Sequence, residues 1–428
     1  MRRILNPDPS LWSKLTERPT ADFSAIEPLV NEVFAAVSKS GDEALAKYSL
    51  AFDKVSPDAL IVNQDLLTTA KDELPKELVE AIDVAYANIF AFHKAQQTPT
   101  VRISTQEGVD CWQTKKPIDK VGIYIPGGTA PLFSTALMLA IPAQIAGCNQ
   151  IVLCTPPSEN GIPAAIRYAA YKCGINIVAQ VGGIQAIAAL TFGTETIPKV
   201  YKIFGPGNQY VTVAKQKATQ YQTAIDMPAG PSELLVVADN SANPKYVAAD
   251  LLSQAEHGKD SQVILVTTSK DFGDRVETEI TRQLEELPRK DLAKVALENS
   301  LIVYFDEEST ALAFINEYGP EHYIVCVENE SFFVDGVANA GSVFIGNYTP
   351  ESAGDYASGT NHTLPTNGYT KQYSGVNLDA FLKAITYQRI SAKGIQQLGP
   401  HIEAMAEAEG LYAHKNAVTL RLNDLNND

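Results

Sequence analysis

The feature that most constrains the fold is an alternation of short apolar runs with helix-like stretches, which begins at Lys120. Alternation of this kind indicates βαβ units and therefore parallel sheets. A Pro- and Gly-rich run at 226–232 is the best candidate boundary between two series of runs. The predicted strands are 121–125, 151–154, 175–181 and 200–204 in the first series, and 233–238, 262–267, 301–305, 323–327 and 342–345 in the second.

Helical patterns flank the two series. Near the N-terminus, apolar residues recur at helical spacing from Ile26 to Val37, and Gly41 ends that pattern. A second helical pattern runs from Leu78 to Phe92, and after about Tyr373 the chain again reads as helical. The predicted fold class is therefore α/β, with two Rossmann-like parallel-sheet domains and helical N-terminal and C-terminal segments.

Composition narrows the possible partners and compartment. A net charge of −16 disfavours nucleic acid and anionic membrane surfaces, because both would be repelled. The most apolar window, 130–148, is interrupted by prolines and polar residues, so we expect a buried helix and no membrane span. No signal-peptide pattern opens the chain. Five scattered cysteines without a Cys-x-x-Cys pair indicate reduced thiols in the cytoplasm and disfavour an all-cysteine zinc site.

Two of the six histidines stand beside other polar groups of use to a site. Gln254 and His257 are three residues apart at the end of a helix-like stretch, so one helix face could present both to one ion. The alternative is a polar C-terminal turn, where histidine suits the helix dipole. Glu321 and His322 are adjacent, and an acid beside an imidazole can serve successive proton transfers. A solvated turn is the alternative there.

A long loop at 350–362, rich in small residues, offers two further ligand candidates. Asp355 could supply an oxygen and His362 a nitrogen, although a flexible surface loop would have the same composition. His414, taken alone, reads as a surface residue.

Known nucleotide motifs are absent in their strict form. There is no Walker loop, no His-Glu-x-x-His, and no Gly-x-Gly-x-x-Gly, since Gly205-Pro206-Gly207 lacks the third glycine. Two strand-to-helix turns, 124–129 and 204–208, could still let a dinucleotide approach the backbone without a Cβ clash. Many α/β turns need glycine for packing alone, so this signal is weak.

Taken together and in order, these segments resemble the histidinol dehydrogenase family. The resemblance covers about 23–422, and its blocks are 124–128, 204–208, 226–233, 253–258, 319–322, 352–362 and 413–418. It implies oxidation of L-histidinol to L-histidine in two steps, through an enzyme-held aldehyde, with reduction of two NAD⁺. One departure is Lys259, where we expect proline after the His-Gly of the metal motif. Lys259 lies outside the implied ligand set and affects only the rigidity of that loop.

The resemblance also implies residue roles. The zinc ligands correspond to Gln254, His257, Asp355 and His414; the general base corresponds to His322, and the acid/base residue for water attack to Glu321. Substrate contacts comprise these six residues together with Ser232 and Glu409, and the NAD-binding positions are Tyr124, Gln185 and Asn208. In the family the histidine and glutamate matching His414 and Glu409 reach the other subunit of a homodimer, so shared sites are expected.

The implied domains are an N-terminal segment at 1–20, a catalytic metal-binding α/β domain at 21–119 and 232–372, an NAD-binding α/β domain at 120–231, and a C-terminal helical segment at 373–428 that reaches the partner. Two other readings remain. A metallohydrolase could use the same His/Asp/Gln cluster, but it would leave the two glycine turns unexplained. A nucleotide-binding regulator with an inactive site is disfavoured by the intact Glu321 and His322.

Overall fold

A computed structural model describes residues 1–19, 25–55, 59–127, 131–228 and 230–427. Its internal contacts divide the chain into two compact units. Unit 1 comprises Met1–Gln96 and Ile118–Phe381, and unit 2 comprises Gln97–Pro117 and Leu382–Asp428. The chain is of the α/β class, with two parallel sheets and helical segments.

The strands and helices of the described residues are numbered in chain order. The strands are β1 (Arg2–Leu5), β2 (Val101–Gln106), β3 (Val109–Pro117), β4 (Lys120–Tyr124), β5 (Gln150–Thr155), β6 (Ile177–Gln180), β7 (Lys202–Phe204), β8 (Ala224–Ile225), β9 (Glu233–Ala238), β10 (Gln262–Thr267), β11 (Leu301–Tyr304), β12 (His322–Cys326), β13 (Ser342–Ile345) and β14 (Leu382–Ile390). The α-helices are α1 (Trp12–Leu15), α2 (Glu27–Phe52), α3 (Gln64–Thr68), α4 (Lys76–Ala95), α5 (Phe133–Ala146), α6 (Ala164–Lys172), α7 (Gly183–Phe192), α8 (Gln209–Ala218), α9 (Pro244–Ala255), α10 (Lys270–Leu284), α11 (Lys290–Glu298), α12 (Glu308–Tyr318), α13 (Glu330–Gly336), α14 (Glu351–Tyr356), α15 (Ala392–Ala408) and α16 (Tyr412–Asn427).

The first sheet of unit 1 has five parallel strands in the order β6-β5-β4-β7-β8. All four predicted strands of the first series are confirmed. Successive strand side chains point to opposite faces, so Ile123 and Leu153 pack with α4 to α6 while Val152 and Ile203 pack with α2, α7 and α8. Helices therefore cover both faces, as a parallel sheet requires.

Within the apolar window at 130–148, Phe133–Ala146 forms the buried helix α5, as predicted. Ten of its residues are buried, and they pack between β4 and its neighbouring helices. Among the described residues, no helix is long and apolar enough to cross a membrane.

The second sheet of unit 1 has six parallel strands in the order β1-β11-β10-β9-β12-β13. Its five predicted strands are confirmed, with α9 to α11 on one face and α12 and α13 on the other. The prediction of a helical N-terminal segment is wrong at β1, where Arg2 pairs with Leu301. This strand is only four residues long and mostly exposed, so it carries no readable periodicity.

Helix α2 runs past the predicted stop at Gly41. Gly41 has a non-helical conformation (φ 47°, ψ −127°) that favours glycine, and the helix resumes after it. The backbone N–H of Asp42, freed by this kink, donates to the Glu195 carboxylate at 2.8 Å. The glycine therefore kinks the helix without ending it, and α2 closes at Phe52.

Unit 2 contains an antiparallel sheet in the order β14-β3-β2 and the helix pair α15 and α16. The prediction that the chain is wholly helical after about Tyr373 is wrong, because β14 is a nine-residue strand. Most of its side chains are exposed, so no alternating burial pattern marks it, and its partner β3 lies far away in the sequence. The predicted domain limits stay a prediction.

Candidate active site

Glu321 and His322 lie at the amino end of β12, in the interior of unit 1. His322 is the first residue of that strand and pairs with Leu234 of β9 and Ser342 of β13. Both candidate residues are buried, at 5% and 4% exposure. Position along the chain does not by itself predict a site here, because ligands of open parallel sheets usually bind at the carboxyl ends of the strands. The buried acid–imidazole pair rules out the alternative of a solvated turn.

Carboxyl groups surround the His322 ring on both sides. Its Nδ1 lies 3.6 Å from Glu321 Oε2 and 3.9 Å from Glu351 Oε1, and its Nε2 lies 3.4 Å from Asp355 Oδ1. Burial by itself lowers the pKa of His322, but Glu351, Glu321 and Asp355 together outweigh it and raise this pKa well above the usual 6.5. The ring therefore holds its proton when no other cation is present.

Glu321 is held in place from the neighbouring strand. Its Oε2 accepts a hydrogen bond of 2.9 Å from the backbone N–H of Glu233, the first residue of β9. The Glu233 carboxylate is itself fixed by a buried ion pair with Arg18 at 2.7 Å and by the backbone N–H of Asn367. Arg18 in turn stacks on the Tyr318 ring, 3.7 Å from its centroid. One Glu321 oxygen thus has a fixed structural partner.

Glu351 is the residue that the sequence reasoning missed. The segment around it was predicted to be an irregular loop, but Glu351–Tyr356 is helix α14, so Glu351 and Asp355 lie on one helix face. That four-residue spacing was the available signal. Burial, followed by the neighbouring acids, raises the pKa of Glu351 to about 8, although His322 opposes this. The Gln254 amide nitrogen, in the orientation that satisfies it, donates to Glu351 Oε2 at 3.2 Å.

Three side chains form a cluster that suits a metal ion. Ligand atoms of His257, Glu351 and Asp355 lie within 4.8 Å of one another. Asp355 Oδ1 and His322 Nε2 are buried and have no hydrogen-bond partner within the described residues. Burial raises the pKa of Asp355, but the His322 ring overcomes this and leaves it lowered, so the carboxylate is charged. Nitrogen and oxygen donors with unmet electrostatic demand fit a divalent cation.

Gln254 and His257 reach this region in different ways. Helix α9 ends at Ala255, so Gln254 lies on its last turn and is buried, whereas His257 lies beyond the helix and is exposed. The expectation that both project from one helix face is therefore wrong. A turn joins them instead, in which the His257 N–H donates to the Gln254 carbonyl at 3.3 Å.

His362 has both ring nitrogens occupied. Nδ1 lies 2.8 Å from the backbone carbonyl of Asp355, and Nε2 lies 3.0 Å from the Thr135 hydroxyl. The ring thus fixes the end of α14 and with it the direction of the Asp355 side chain. This arrangement leaves His362 no free nitrogen for the ligand role considered from sequence.

Two cavities lie in unit 1, and the smaller one reaches the cluster at His257. One, of 470 Å³, is lined by Ser232, His257 and Asn208 among others. The other, of 820 Å³, lies at the carboxyl ends of β4 to β7 and is lined by Tyr124 and again by Asn208. Asn208 caps α8 through hydrogen bonds from the N–H groups of Tyr210 and Val211, and so lies between the two spaces.

The larger cavity is lined by Tyr124, Pro126 and Gly127 of the first predicted glycine turn and by Asn208 of the second, while Gly128 and Thr129 lie outside the described residues. Gly205 has φ +128°, and a Cβ there would collide with the Tyr124 carbonyl oxygen, so only glycine fits. The Tyr124 hydroxyl accepts from the Gly183 N–H at 3.0 Å. Gln185 does not line this cavity; its Nε2 donates at 3.2 Å to Asp53, which does line it, and its Oε1 has no partner within the described residues.

The remaining predicted site residues, Glu409 and His414, belong to unit 2. Glu409 caps the carboxyl end of α15, and His414 lies in the first turn of α16. Both side chains are exposed. The other predicted residues all belong to unit 1.

Comparison with known proteins gives a consistent result. The sequence model of the histidinol dehydrogenase family matches residues 16–422. A relative named histidinol dehydrogenase from Bacteroides thetaiotaomicron is 54% identical over 426 residues, which span 99% of this chain and 100% of the relative. One from Escherichia coli K12 is 52% identical over 415 residues, 96% of this chain and 95% of the relative. The crystal structure of histidinol dehydrogenase from Elizabethkingia anophelis superposes with a TM-score of 0.97 at 53% identity, covering 100% of this chain and 99% of that one.

Proposed function

This chain belongs to the histidinol dehydrogenase family, and from that premise we propose that it oxidises L-histidinol to L-histidine through L-histidinaldehyde, with two NAD⁺ as hydride acceptors. The observation that carries this proposal is the buried Glu321–His322 pair, whose imidazole lies within ion-pair distance of Glu351 and Asp355 of the metal cluster, in a chain whose two cavities share Asn208. One cavity has the size and glycine turns that a dinucleotide needs, and the other borders the candidate metal cluster.

The first oxidation needs a base for the alcohol proton. As a C–H hydride leaves for NAD⁺, the O–H proton must leave the same substrate, giving the aldehyde, NADH and H⁺. We assign that base role to His322. A neutral imidazole is required, so the surrounding charges must be balanced before the ring can give up its proton. A cation held by Asp355, with Glu351 beside it, would compete for the negative charge of these carboxylates and lower the pKa of His322.

The second oxidation needs water as well as a base. Water adds to the aldehyde to give a hydrate, which loses a hydride to a second NAD⁺ and a proton to the protein. We assign the activation of this water to Glu321. Its Oε2 is committed to the Glu233 N–H at 2.9 Å, which leaves the other oxygen for water. The fixed carboxylate thus acts only after the aldehyde has formed, and His322 serves both steps.

NAD fits the 820 Å³ cavity, because this cavity lies at the carboxyl ends of β4 to β7 and its lining includes the backbone of Gly127 and Gly183, which a ligand can approach closely. We propose that Tyr124 and Asn208 contact it directly and that Gln185 acts through Asp53. When bound, NAD⁺ supplies the hydride acceptor. Asn208 lines both cavities and therefore suits the border between cofactor and substrate.

Zinc fits the donor set of the metal cluster, and we propose Gln254, His257 and Asp355 as its ligands in this unit, with Glu351 beside them. When bound, zinc supplies positive charge that orients the substrate through its nitrogens. We expect chelation to abolish turnover while the protein stays folded, because the ligands lie at helix ends and the core needs no metal. Full activity in protein shown to be metal-free would contradict this assignment.

We further propose a homodimer in which the partner subunit's His414 completes the zinc shell and the partner subunit's Glu409 contacts the substrate. Both residues are exposed in unit 2, where a neighbouring chain can reach them. Three ligands from unit 1 leave a position open, as catalytic zinc sites commonly do.

An absorbance assay at 340 nm separates this function from its alternatives. With L-histidinol and NAD⁺, a histidinol dehydrogenase produces NADH continuously. A metallohydrolase would need no NAD⁺ and would give no signal, and a nucleotide-binding regulator would bind NAD⁺ without turnover. A His322→Asn variant is the matched control, because it removes the base while keeping a side chain of similar shape.

A further inference from the structure

A single acid is the one charged residue among the described residues that line the 820 Å³ cavity. This residue is Asp53, the C-cap of α2, whose N–H donates to the Ser49 carbonyl at 2.8 Å. Its carboxylate accepts from Gln185 Nε2 at 3.2 Å, and within the described residues it forms no ion pair. An ionisable acid with only one neutral partner, in a cavity built for a ligand, suggests a role toward that ligand.

Strand order places Asp53 at one particular end of the cavity. The strands run β6-β5-β4-β7, Gln185 lies on the helix that follows β6, and Asn208 follows β7. Three strand spacings separate these two positions, roughly 14 Å. Because Asn208 also borders the cavity of Ser232 and His257, the reacting half of a dinucleotide belongs near Asn208. The adenosine half then lies toward Asp53.

The cavity offers no positive charge to an added phosphate. None of its described lining residues is lysine or arginine. Lys54 follows Asp53, but its ammonium donates to the Ala51 carbonyl at 2.7 Å. The neighbouring sequence segments 56–58 and 128–130 also contain no lysine or arginine. A 2′-phosphate would therefore meet a carboxylate without a compensating cation.

We propose that Asp53 accepts hydrogen bonds from the adenosine ribose hydroxyls and thereby selects NAD over 2′-phosphorylated dinucleotides. This inference rests on the proposed function, which places a dinucleotide in this cavity. An acid that binds vicinal hydroxyls is favourable for NAD, whereas the same acid repels a phosphate attached at the 2′ oxygen. Like-charge contact of this kind weakens binding of the phosphorylated dinucleotide, so selectivity can depend on one side chain.

The role of Asp53 can be tested without turnover by measuring the dissociation constants of NADH and NADPH. Nucleotide fluorescence reports their binding to metal-free protein. The variants are Asp53→Asn, which removes the charge and keeps an acceptor for Gln185, and Asp53→Ala, which removes both. Glu43→Gln is the matched control, because Glu43 is an exposed acid on the same helix and does not line the cavity. Adenosine 5′-monophosphate and adenosine 2′,5′-bisphosphate then compete against NADH on unmodified protein, a comparison that needs no variant to fold.

We expect unmodified protein to bind NADH more tightly than NADPH and to prefer the monophosphate competitor. Asp53→Asn should lower the ratio of the NADPH dissociation constant to the NADH dissociation constant about tenfold or more. Part of this change should come from tighter binding of NADPH, and damage to the fold cannot tighten binding. Glu43→Gln should leave the ratio unchanged. Equal ratios in unmodified protein and in folded Asp53 variants, or equal binding of the two competitors, would overturn the inference. If NADH binds and histidinol is oxidised while those ratios stay equal, only the inference fails; if neither dinucleotide binds, the proposed function fails with it.

Discussion

At the scale of single residues, the site is an excess of buried acid gathered around one imidazole. Glu351, Glu321 and Asp355 face His322, while Asp250 lies close enough to raise the pKa of Glu351 further. The three carboxyl groups can carry more negative charge than the one imidazole can offset. Protonated His322 supplies the positive charge that the chain itself offers to this cluster.

The first prediction concerns the pH dependence of stability in metal-free protein. His322 has a folded pKa above 6.5, so its contribution to stability is complete below that pH and is lost as pH rises through the folded pKa. Glu351 and Asp250, whose pKa values are raised to about 8 and about 7, change stability in the same direction. The thermal unfolding midpoint should therefore decrease as the pH is raised from about 6.5 to about 9.

Glu351→Gln tests the source of that slope. The variant has no charge to bury at high pH, so its midpoint should lie a few degrees above that of unmodified protein near pH 9, with a flatter profile. Glu328→Gln removes an exposed acid outside the cluster and should keep the original slope. A midpoint that rises with pH, or equal slopes in Glu351→Gln and unmodified protein, would refute this explanation.

The second prediction separates the two oxidations. His322→Asn should slow oxidation of both histidinol and supplied histidinaldehyde, by about 10²-fold or more, because each loses a proton near the substrate. Glu321→Gln should slow the aldehyde reaction more than the alcohol reaction, because only the aldehyde reaction needs water addition. Single-turnover rates with each substrate measure this, and equal losses in the Glu321 variant would count against its role.

Part of the site could be predicted at this scale. Adjacent Glu321 and His322 are readable because they pair complementary groups within two residues. Glu351 could be predicted as a site residue only if α14 was already known to be a helix. Its four-residue spacing to Asp355 places the two side chains on one face only in a helix. Arg18 and Glu233 could not be found from sequence, because their buried ion pair joins residues far apart along the chain.

At the scale of elements, a buried clamp holds the turn before α8. Lys215 Nζ donates to the Gly205 carbonyl at 2.7 Å and forms an ion pair with Asp226, whose Oδ2 accepts from the Gly205 N–H at 2.8 Å. Both side chains are almost fully buried. The clamp joins α8, the end of β8 and the turn that carries Asn208, so it links sheet stability to cofactor binding.

The third prediction is that Lys215→Met destabilises the protein by about 3 kcal/mol, because Asp226 is left as an unpaired buried charge. The KM for NAD⁺ should rise as well, since the Gly205 turn loses a support. Adding Asp226→Asn should restore part of the stability. Lys217→Met on the same helix is the control, and chemical unfolding measures all four proteins. A Lys215 variant as stable as the control would refute the clamp.

Elements were predictable where burial leaves a pattern. Strands such as β9 and β10 are buried along their whole length, so they stand out as apolar runs between turns. β1 and β14 are mostly exposed and depend on partners distant in the sequence, so no local signal marks them. At Gly41 a local signal was present but misleading. Glycine often ends a helix, whereas here it only kinks α2.

At the scale of the whole molecule, the proposed active site takes residues from two chains. The fourth prediction is that inactive His414→Ala and inactive His257→Ala chains complement each other when mixed. With shared sites, a mixed dimer carries both lesions in one site and leaves the other intact, which restores up to about half of the activity per mixed dimer. Sites built within one chain would each keep one lesion. Verified mixed dimers without recovered turnover would contradict sharing.

The most direct test of the whole account is the ratio of NADH formed to histidine formed when L-histidinol is limiting and NAD⁺ is in excess. One site that performs both oxidations predicts about two NADH for each histidine, with no free aldehyde detected by a trapping amine. One NADH for each histidinol consumed, with aldehyde released and no histidine, would contradict the assignment of both steps to Glu321 and His322.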